Sequence, residues 1–200
     1  MEKFKIAILT KSNKRRRNGQ YGCCIAGITE DGEWIRLVAD KDGDSLPENI
    51  EIQVWQVVLA YGERAPLTYQ TENVVLDHFD LVDDHINKYI RNLQQITEVG
   101  IFGNTSNRLS QEEMCEAKGT LRWIKVQNLE IYWNEHNSCR VLFDYNGNYF
   151  EGISMTDPKQ YTNKGSSPKQ IGEAHIVVSL PDSPAFNKFV AAIFPSKRNS

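Results

Sequence analysis

Four consecutive basic residues, Lys14 to Arg17, are the feature of this sequence that points most directly to chemistry. Lys11 precedes them, and Tyr21 follows at the start of an apolar stretch. Lysine and arginine neutralise phosphates, and aromatic rings stack on unpaired bases. This combination indicates an interface for nucleic acid, although a merely solvated loop would carry the same run of charge.

Trp34 and Arg36 extend this candidate interface onto a second stretch. They stand two residues apart in the segment 33–38, and alternate residues of a strand share one face. We expect Arg36 to be exposed and to contact phosphate, whereas Trp34 suits a stacking surface and a core position equally. The candidate residues in this half of the chain are Lys11, Lys14, Arg15, Arg16, Arg17, Tyr21, Trp34 and Arg36.

A weaker copy of the arrangement lies in the second half of the chain. Arg140 and Tyr149 flank the dipeptide Asn146-Gly147, which favours a two-residue hairpin turn. One prediction is that Arg140 and Tyr149 also bind nucleic acid. The alternative is an ordinary hairpin with a solvated surface.

Gln70 and Asn73 stand where another strand is expected to begin. Amide side chains both donate and accept hydrogen bonds, so they suit reading base edges, lining a ligand pocket or satisfying backbone groups at a seam between domains. The sequence leaves these alternatives open.

The charge distribution limits where a polyanion can bind. The chain of 200 residues has a net charge of −3, which argues against a uniformly basic coat for nucleic acid. Residues 1–38 hold eight basic and four acidic residues, residues 39–119 hold six and fifteen, and residues 120–200 hold nine and seven. Positive charge is therefore concentrated at the two ends, and a polyanion would meet one face.

Several classes of protein are disfavoured. No segment approaches the roughly 20 apolar residues of a membrane span, and residues 1–18 lack a signal-peptide pattern, so we expect a cytoplasmic protein. The four cysteines form no C-x-x-C pair, which predicts reduced thiols and no zinc site. The histidines are scattered, and no phosphate-cradling glycine loop is present. We therefore expect no enzymatic activity, no cofactor and no metal.

Hydrophobic periodicity predicts strands at both ends of the chain and helices in the middle. Five strands are predicted at 3–9, 21–28, 33–38, 50–62 and 71–79, and five more at 120–133, 138–145, 148–155, 173–180 and 186–194. Helices are predicted over 81–93 and 109–119, the second with Ser110 as its N-cap. Asp31-Gly32 predicts a hairpin turn in the first half, and one of the neighbours Cys23 and Cys24 is expected in the core.

This pattern predicts a mainly β protein made of two tandem OB-like five-stranded barrels with a short helical connector. The expected boundaries are 1–80 for the first barrel, 81–119 for the connector and 120–200 for the second barrel. Five short strands with a long connection after the third are typical of an OB fold. SH3-like barrels or one split sandwich fit the periodicity as well.

Several segments resemble the dual OB-containing domain family of bacteria and archaea. They are "KIAILTKS", "YGCCIAGI", "GEWIRLV", "PLTYQTEN" and "HIVVSLPDSPAFNKFVAAIF", and together they extend over nearly the whole chain. The resemblance implies two tandem OB folds and a role in nucleic-acid binding, often in settings connected with defence against foreign DNA. The run Lys14 to Arg17 and the segment "LPDSPAFN" depart from the more glycine-rich pattern of that family.

Three functions are compatible with these observations. The first is non-catalytic binding of DNA or RNA, expected to be single-stranded, by the basic loop between the first two strands and the aromatic face beside it. The second is a sensor that holds a nucleotide or another small anionic ligand between the barrels, near Gln70 and Asn73. The third is an adaptor for a protein partner, which the acidic middle of the chain would suit.

Overall fold

The computed structural model describes residues 1–15, 18–91, 93, 100–117, 119–161, 166–181 and 186–196. The chain divides into two compact units, Met1–Gln94 and Gln95–Ser200, so the predicted connector 81–119 is shared between them. No helix within the described ranges has the length and apolar composition needed to cross a membrane.

The first unit is a β-sheet that closes on itself. Its strands are β1 (Glu2–Arg15), β2 (Tyr21–Thr29), β3 (Trp34–Val38), β4 (Leu46–Pro47), β5 (Val57–Arg64) and β6 (Asn73–Val82), followed by the helix α1 (Asn87–Ile90). The pairing runs from β1 through β2, β3, β6 and β5 back to β1, with β3 and β6 parallel. The two-residue strand β4 pairs with the start of β2.

The second unit repeats this topology. It contains the helix α2 (Gln111–Glu116) and the strands β7 (Leu121–Trp133), β8 (Cys139–Tyr145), β9 (Asn148–Met155), β10 (Lys169–Ser179) and β11 (Phe189–Pro195). These strands form a closed barrel in which β9 and β11 are parallel. Both units are OB-like, and the predicted fold class is confirmed.

Three predicted elements differ most from the structure. β1 ends at Arg15 and not at residue 9, because its ladder with β2 continues to the pair Arg15–Tyr21, so Lys11, Lys14 and Arg15 lie in the strand and not in the predicted loop. β5 begins at Val57 and not at residue 50, because the backbone turns at Trp55, which has a φ of 75° and whose N–H donates to the carbonyl of Ile8. The helix predicted over 81–93 is reduced to α1, because β6 continues to Val82 in pairing with β5. Strand pairing across the sheet outweighs local helical spacing here.

The predicted turns and cap are confirmed in part. Asn146 and Gly147 have φ values of 48° and 75° and form the predicted two-residue turn between β8 and β9. In the first hairpin only Gly32 has a positive φ, and the loop is wider. The hydroxyl of Ser110 accepts a hydrogen bond from the backbone N–H of Glu113, which completes the predicted capping box of α2.

A glycine in β2 allows the first unit to close. A Cβ on Gly27 would lie 2.1 Å from the carbonyl oxygen of Ala7 in β1, a distance that no side chain tolerates. β1 also shifts register next to this point, between Ile8 and Thr10. The core beneath it contains Phe4, Ile6, Ile8, Cys23, Ile25, Ile35, Leu37, Val58 and Val74, so Cys23 is the inward-facing member of the cysteine pair.

Asp84 connects the segment between β6 and α1 to β1 through ion pairs and a hydrogen bond. The ammonium groups of Lys5 and Lys88 lie 2.5 and 2.8 Å from its carboxylate, and the hydroxyl of the buried Tyr89 donates to it at 3.2 Å. These hydrogen bonds, with Lys5 first among them, hold the pKa of Asp84 well below its usual range. The folded unit therefore favours the ionised carboxylate.

The close approach at Gly27 predicts a large loss of stability for Gly27→Ala. The added methyl group forces β1 and β2 apart, and we expect the free energy of unfolding to fall by about 3 kcal/mol or more. Gly19→Ala is the control, because no atom lies within 4 Å of its Cβ and only its φ of 81° opposes alanine, at a cost of about 1–2 kcal/mol. Urea denaturation measures both; equal losses would contradict the close approach.

The low pKa of Asp84 predicts acid sensitivity. In the unfolded chain an aspartate has a pKa of about 3.9, whereas in the folded unit the pKa of Asp84 is lower. The stabilisation by the ionised carboxylate is therefore complete above the pKa of the unfolded state and is lost as the pH falls below it. The free energy of unfolding measured between pH 7 and 2.5 should therefore depend less steeply on acid in Asp84→Asn than in the wild type. Asp83→Asn, at an exposed neighbour, should retain the wild-type slope. Parallel profiles for Asp84→Asn and the wild type would refute the assignment.

Candidate nucleic-acid interface

The β1–β2 hairpin carries the basic run. Its ladder continues outward until Arg15 pairs with Tyr21, so Lys14 and Arg15 stand in its last two pairs. The side chains of these two residues, and Arg16 and Arg17 as a whole, lie outside the described part of the chain. The ladder thus places Lys14 and Arg15 at the end of the hairpin.

Asn18 orders the return of the chain into β2. Its carboxamide oxygen accepts a hydrogen bond from the backbone N–H of Gln20, and its carboxamide nitrogen donates to the side-chain oxygen of Gln20, both at 3.0 Å. Gly19 supplies the left-handed backbone between them, with a φ of 81°. β2 then begins at Tyr21, whose surface is 60% exposed.

Lys11 holds the loop after β4 against the hairpin. Its ammonium group donates to the carbonyl oxygen of Ile50 at 2.8 Å, so its predicted contact with phosphate competes with a contact inside the unit. Beside it, the Cys23 thiol donates to the carbonyl of Pro47 at 3.4 Å, and burial raises the pKa of this thiol to about 11. Both contacts attach the segment 47–50 to the hairpin.

An open pocket of about 610 Å³ lies between the hairpin and this segment. Its walls are an aromatic ring, a proline, two carboxamides and one carboxylate. They belong to Gln20, Tyr21, Pro47, Glu48 and Asn49. Tyr21 thus lines this pocket and pairs with Arg15 in the ladder.

Tyr21 and Trp34 lie on opposite faces of the sheet. Tyr21 alternates with Cys23 and Ile25, which face the core, whereas Trp34 pairs with Ile28 on the other face. The seven residue-to-residue steps from 21 to 28 correspond to about 23 Å of extended strand. The prediction of a stacking surface shared by Tyr21 and Trp34 is therefore wrong, and only Tyr21 belongs to the hairpin tip.

Arg36 is buried, so the prediction that it is exposed is wrong. Its guanidinium lies 3.2 Å from the carboxylate of Glu72, and both side chains are nearly inaccessible. The backbone N–H of Arg36 also donates to the carbonyl of Glu72, at 2.9 Å. Arg36 thus joins β3 to the loop before β6 and does not reach a phosphate.

Gln70 and Asn73 are buried near this ion pair. Asn73 pairs with Arg36 in the β3–β6 ladder and is fully buried, and Gln70 is 4% exposed. Neither side-chain polar atom of Asn73 has a hydrogen-bond partner in the described part of the chain. Because both side chains are buried, a nucleic-acid strand on the surface does not contact them. A pocket for a small ligand near Gln70 and Asn73 stays a prediction.

In the second unit, Tyr149 has acidic surroundings. Partial desolvation, and then the charges of Glu151, Asp144 and Glu130, raise the pKa of its hydroxyl. Arg140 donates a hydrogen bond to a serine hydroxyl of β9. Three neighbouring carboxylates disfavour the binding of phosphate here. The binding of nucleic acid by Arg140 and Tyr149 stays a prediction.

Pro47, Glu48 and Asn49 are pocket residues that sequence analysis did not identify. β4 has two residues, which is too short for periodicity to reveal a strand. The turn-forming types in "LPEN" were the available signal, but they predict only a loop. The pairing of Gly22 with Pro47 that brings this loop to β2 joins residues distant in sequence.

No group of three or more metal-ligating side chains within the described ranges is arranged to hold a metal ion. Two of the histidines stack on aromatic rings instead. His78 lies 4.2 Å from Tyr61 and His175 lies 5.1 Å from Trp123, measured between ring centroids. Burial lowers the pKa of His175, which favours its neutral form.

Comparison with known proteins identifies one family. A family model described as "Dual OB-containing domain" matches residues 4–193, which include both units. No curated protein matches the chain. A solved structure described as "Structural mimicry for functional antagonism" aligns over 98% of this chain and 92% of its own, with 9% identity and a TM-score of 0.32. That likeness is too low to support an argument.

The buried pair of Arg36 and Glu72 predicts an asymmetric response to mutation. Arg36→Met leaves a buried carboxylate without its guanidinium, which should lower the free energy of unfolding by about 3–5 kcal/mol. The double variant Arg36→Met/Glu72→Leu removes both charges and should recover at least half of that loss. Lys41→Met, which breaks an exposed pair with Glu63, is the control and should cost about 0–1 kcal/mol. If urea denaturation gave equal losses in the free energy of unfolding for Arg36→Met and Lys41→Met, the stabilising role of the buried ion pair would be contradicted.

Proposed function

We propose that the chain, which belongs to the dual OB-containing domain family, binds single-stranded nucleic acid through its hairpin tip, residues 14–21. Phosphates would contact Lys14, Arg15, Arg16 and Arg17, and a base would stack on Tyr21. The proposed role is non-catalytic. OB folds commonly use the loop between their first two strands for this purpose, and the family resemblance implies a setting of defence against foreign DNA.

The observation that carries the proposal is the register of the β1–β2 ladder. Arg15 stands directly opposite Tyr21, and positions directly opposed in an antiparallel pair share one face. A cationic position and an exposed aromatic ring are thus neighbours at the end of the hairpin. One nucleotide offers the matching groups, a phosphate and a base.

The charge of the hairpin supports the same proposal. Residues 3–29 contain seven lysines and arginines and no aspartate or glutamate. Lys5 contacts Asp84 and Lys11 contacts Ile50, so both are engaged inside the unit. The positive field therefore comes chiefly from the run at the turn, in a protein whose net charge is negative.

A single strand fits this site better than a duplex. Stacking on Tyr21 requires a base whose face is uncovered, which single strands provide. The described residues of the hairpin tip, 14–15 and 18–21, lie in the two strands and a turn, and none of them belongs to a helix that could enter a major groove. The acidic surroundings of Tyr149 confine the proposal to the first unit.

Replacement of Arg15, Arg16 and Arg17 by alanine tests the proposal through the salt dependence of binding. For single strands, each phosphate contact contributes about 0.7 to the slope of log affinity against log salt, so the triple variant should flatten the slope by about 2. Fluorescence anisotropy with labelled 12-mers of thymidine DNA and uridine RNA measures the affinity at several salt concentrations between about 50 and 300 mM. The slope of log affinity against log salt follows from these values.

The matched control removes three positive charges from the second unit. Lys125, Lys159 and Lys169 replaced by alanine changes the net charge by the same amount and should leave the slope within experimental error of the wild type. Absence of binding by the wild type, or equal slopes for both triple variants, would overturn the proposal.

A further inference from the structure

The carboxylate of Glu48 is unfavourable in a phosphate-binding site. It is exposed, lines the pocket beside Tyr21, and is the acidic member of that lining. A carboxylate repels phosphate and accepts hydrogen bonds without donating any. If the pocket served the polymer backbone alone, Glu48 would weaken binding. Its position instead suits a group that brings hydrogen-bond donors.

The end of the β2–β4 ladder brings Glu48 to the same pocket as Tyr21. Gly22 pairs with Pro47 at this end of the ladder. The chain then turns, and the backbone N–H of Ile50 donates to the carbonyl of Pro47 at 3.2 Å. Glu48, within this turn, and Tyr21, at the start of β2, both line the pocket.

The wall that carries Glu48 is fixed before any ligand arrives. Its neighbour Pro47 is held by the β2–β4 pairing and by the thiol of Cys23. On its other side, Ile50 accepts the hydrogen bond from Lys11. A wall held at both ends loses little conformational freedom on binding, which favours specific recognition.

The pocket has the size and chemistry for one flat, donor-bearing ring. Its volume of about 610 Å³ lies within the roughly 300–1,000 Å³ of small-molecule sites. Among unpaired bases, guanine presents two adjacent donors, N1–H and the N2 amino group, which match the two oxygens of a carboxylate. Thymine and uracil present one N–H between two carbonyl oxygens, and a carboxylate repels those oxygens.

We propose that this pocket is a base-recognition site that prefers guanine, stacked on Tyr21 with its Watson–Crick edge donating to Glu48. The inference rests on the proposed function, because the base enters as part of a bound single strand. Gln20 and Asn49 also line the pocket, and their carboxamides would offer further hydrogen bonds to the base. The site thereby adds selectivity to a charge-driven interface.

Anisotropy titrations with thymidine 12-mers that contain one central guanine, one central inosine or neither test the proposal. One guanine should tighten binding by the wild type about fivefold or more, the lower range for a bidentate contact. Inosine, which lacks the N2 amino group, should give a smaller gain. The same comparison in uridine RNA extends the test to the other backbone.

Glu48→Gln should reduce the guanine preference to less than twofold without flattening the salt slope. Glu51→Gln removes the same charge three positions away, outside the pocket lining, and should keep the preference. Equal binding of all 12-mers with a steep salt slope would overturn the base site and leave the proposed function intact. A guanine preference that survives Glu48→Gln would also overturn it, and absence of all binding would overturn both.

Discussion

The antiparallel ladder between β1 and β2 is the constraint on which the rest of the first unit depends. At Gly27 the two backbones approach so closely that no side chain fits, and the adjacent register shift moves the inward face of β1 to Lys11 and Asn13. These two residues stand opposite Ile25 and Cys23. The inward face of β1 therefore changes from apolar residues in the core to polar residues near the hairpin tip, while the strand itself continues.

Sequence alone was sufficient where structure is determined locally. The strands of the second unit and the turn at Asn146-Gly147 followed from alternation and turn chemistry. The basic run was predicted in the loop between the first two strands, but the β1 ladder continues to Arg15, so Lys14 and Arg15 belong to the strand. Alternation did place Trp34 and Arg36 together, but it does not tell which face is covered, and Arg36 proved to be buried. Glu48 was missed because its place beside β2 depends on a pairing between distant segments.

The two units share a topology and differ in the charges that they present. In the first unit, residues 3–29, which hold the basic hairpin apart from Glu2, contain no acidic residue. In the second, desolvation and then the charges of Glu151, Asp144 and Glu130 raise the pKa of the exposed Tyr149, and such acidic surroundings disfavour a polyanion. The shared fold does not by itself confer the same function on both units, since function depends on the side chains at the site.

The central claim is that a single strand contacts the hairpin tip of the first unit. Photocrosslinking of a 12-mer carrying one 5-iodouridine, followed by mass spectrometry of the digested protein, tests it most directly. The account predicts that the crosslinked peptide contains Tyr21, and that the crosslink is lost in Tyr21→Leu while anisotropy still detects binding. Crosslinks confined to peptides from residues 95–200 would contradict it.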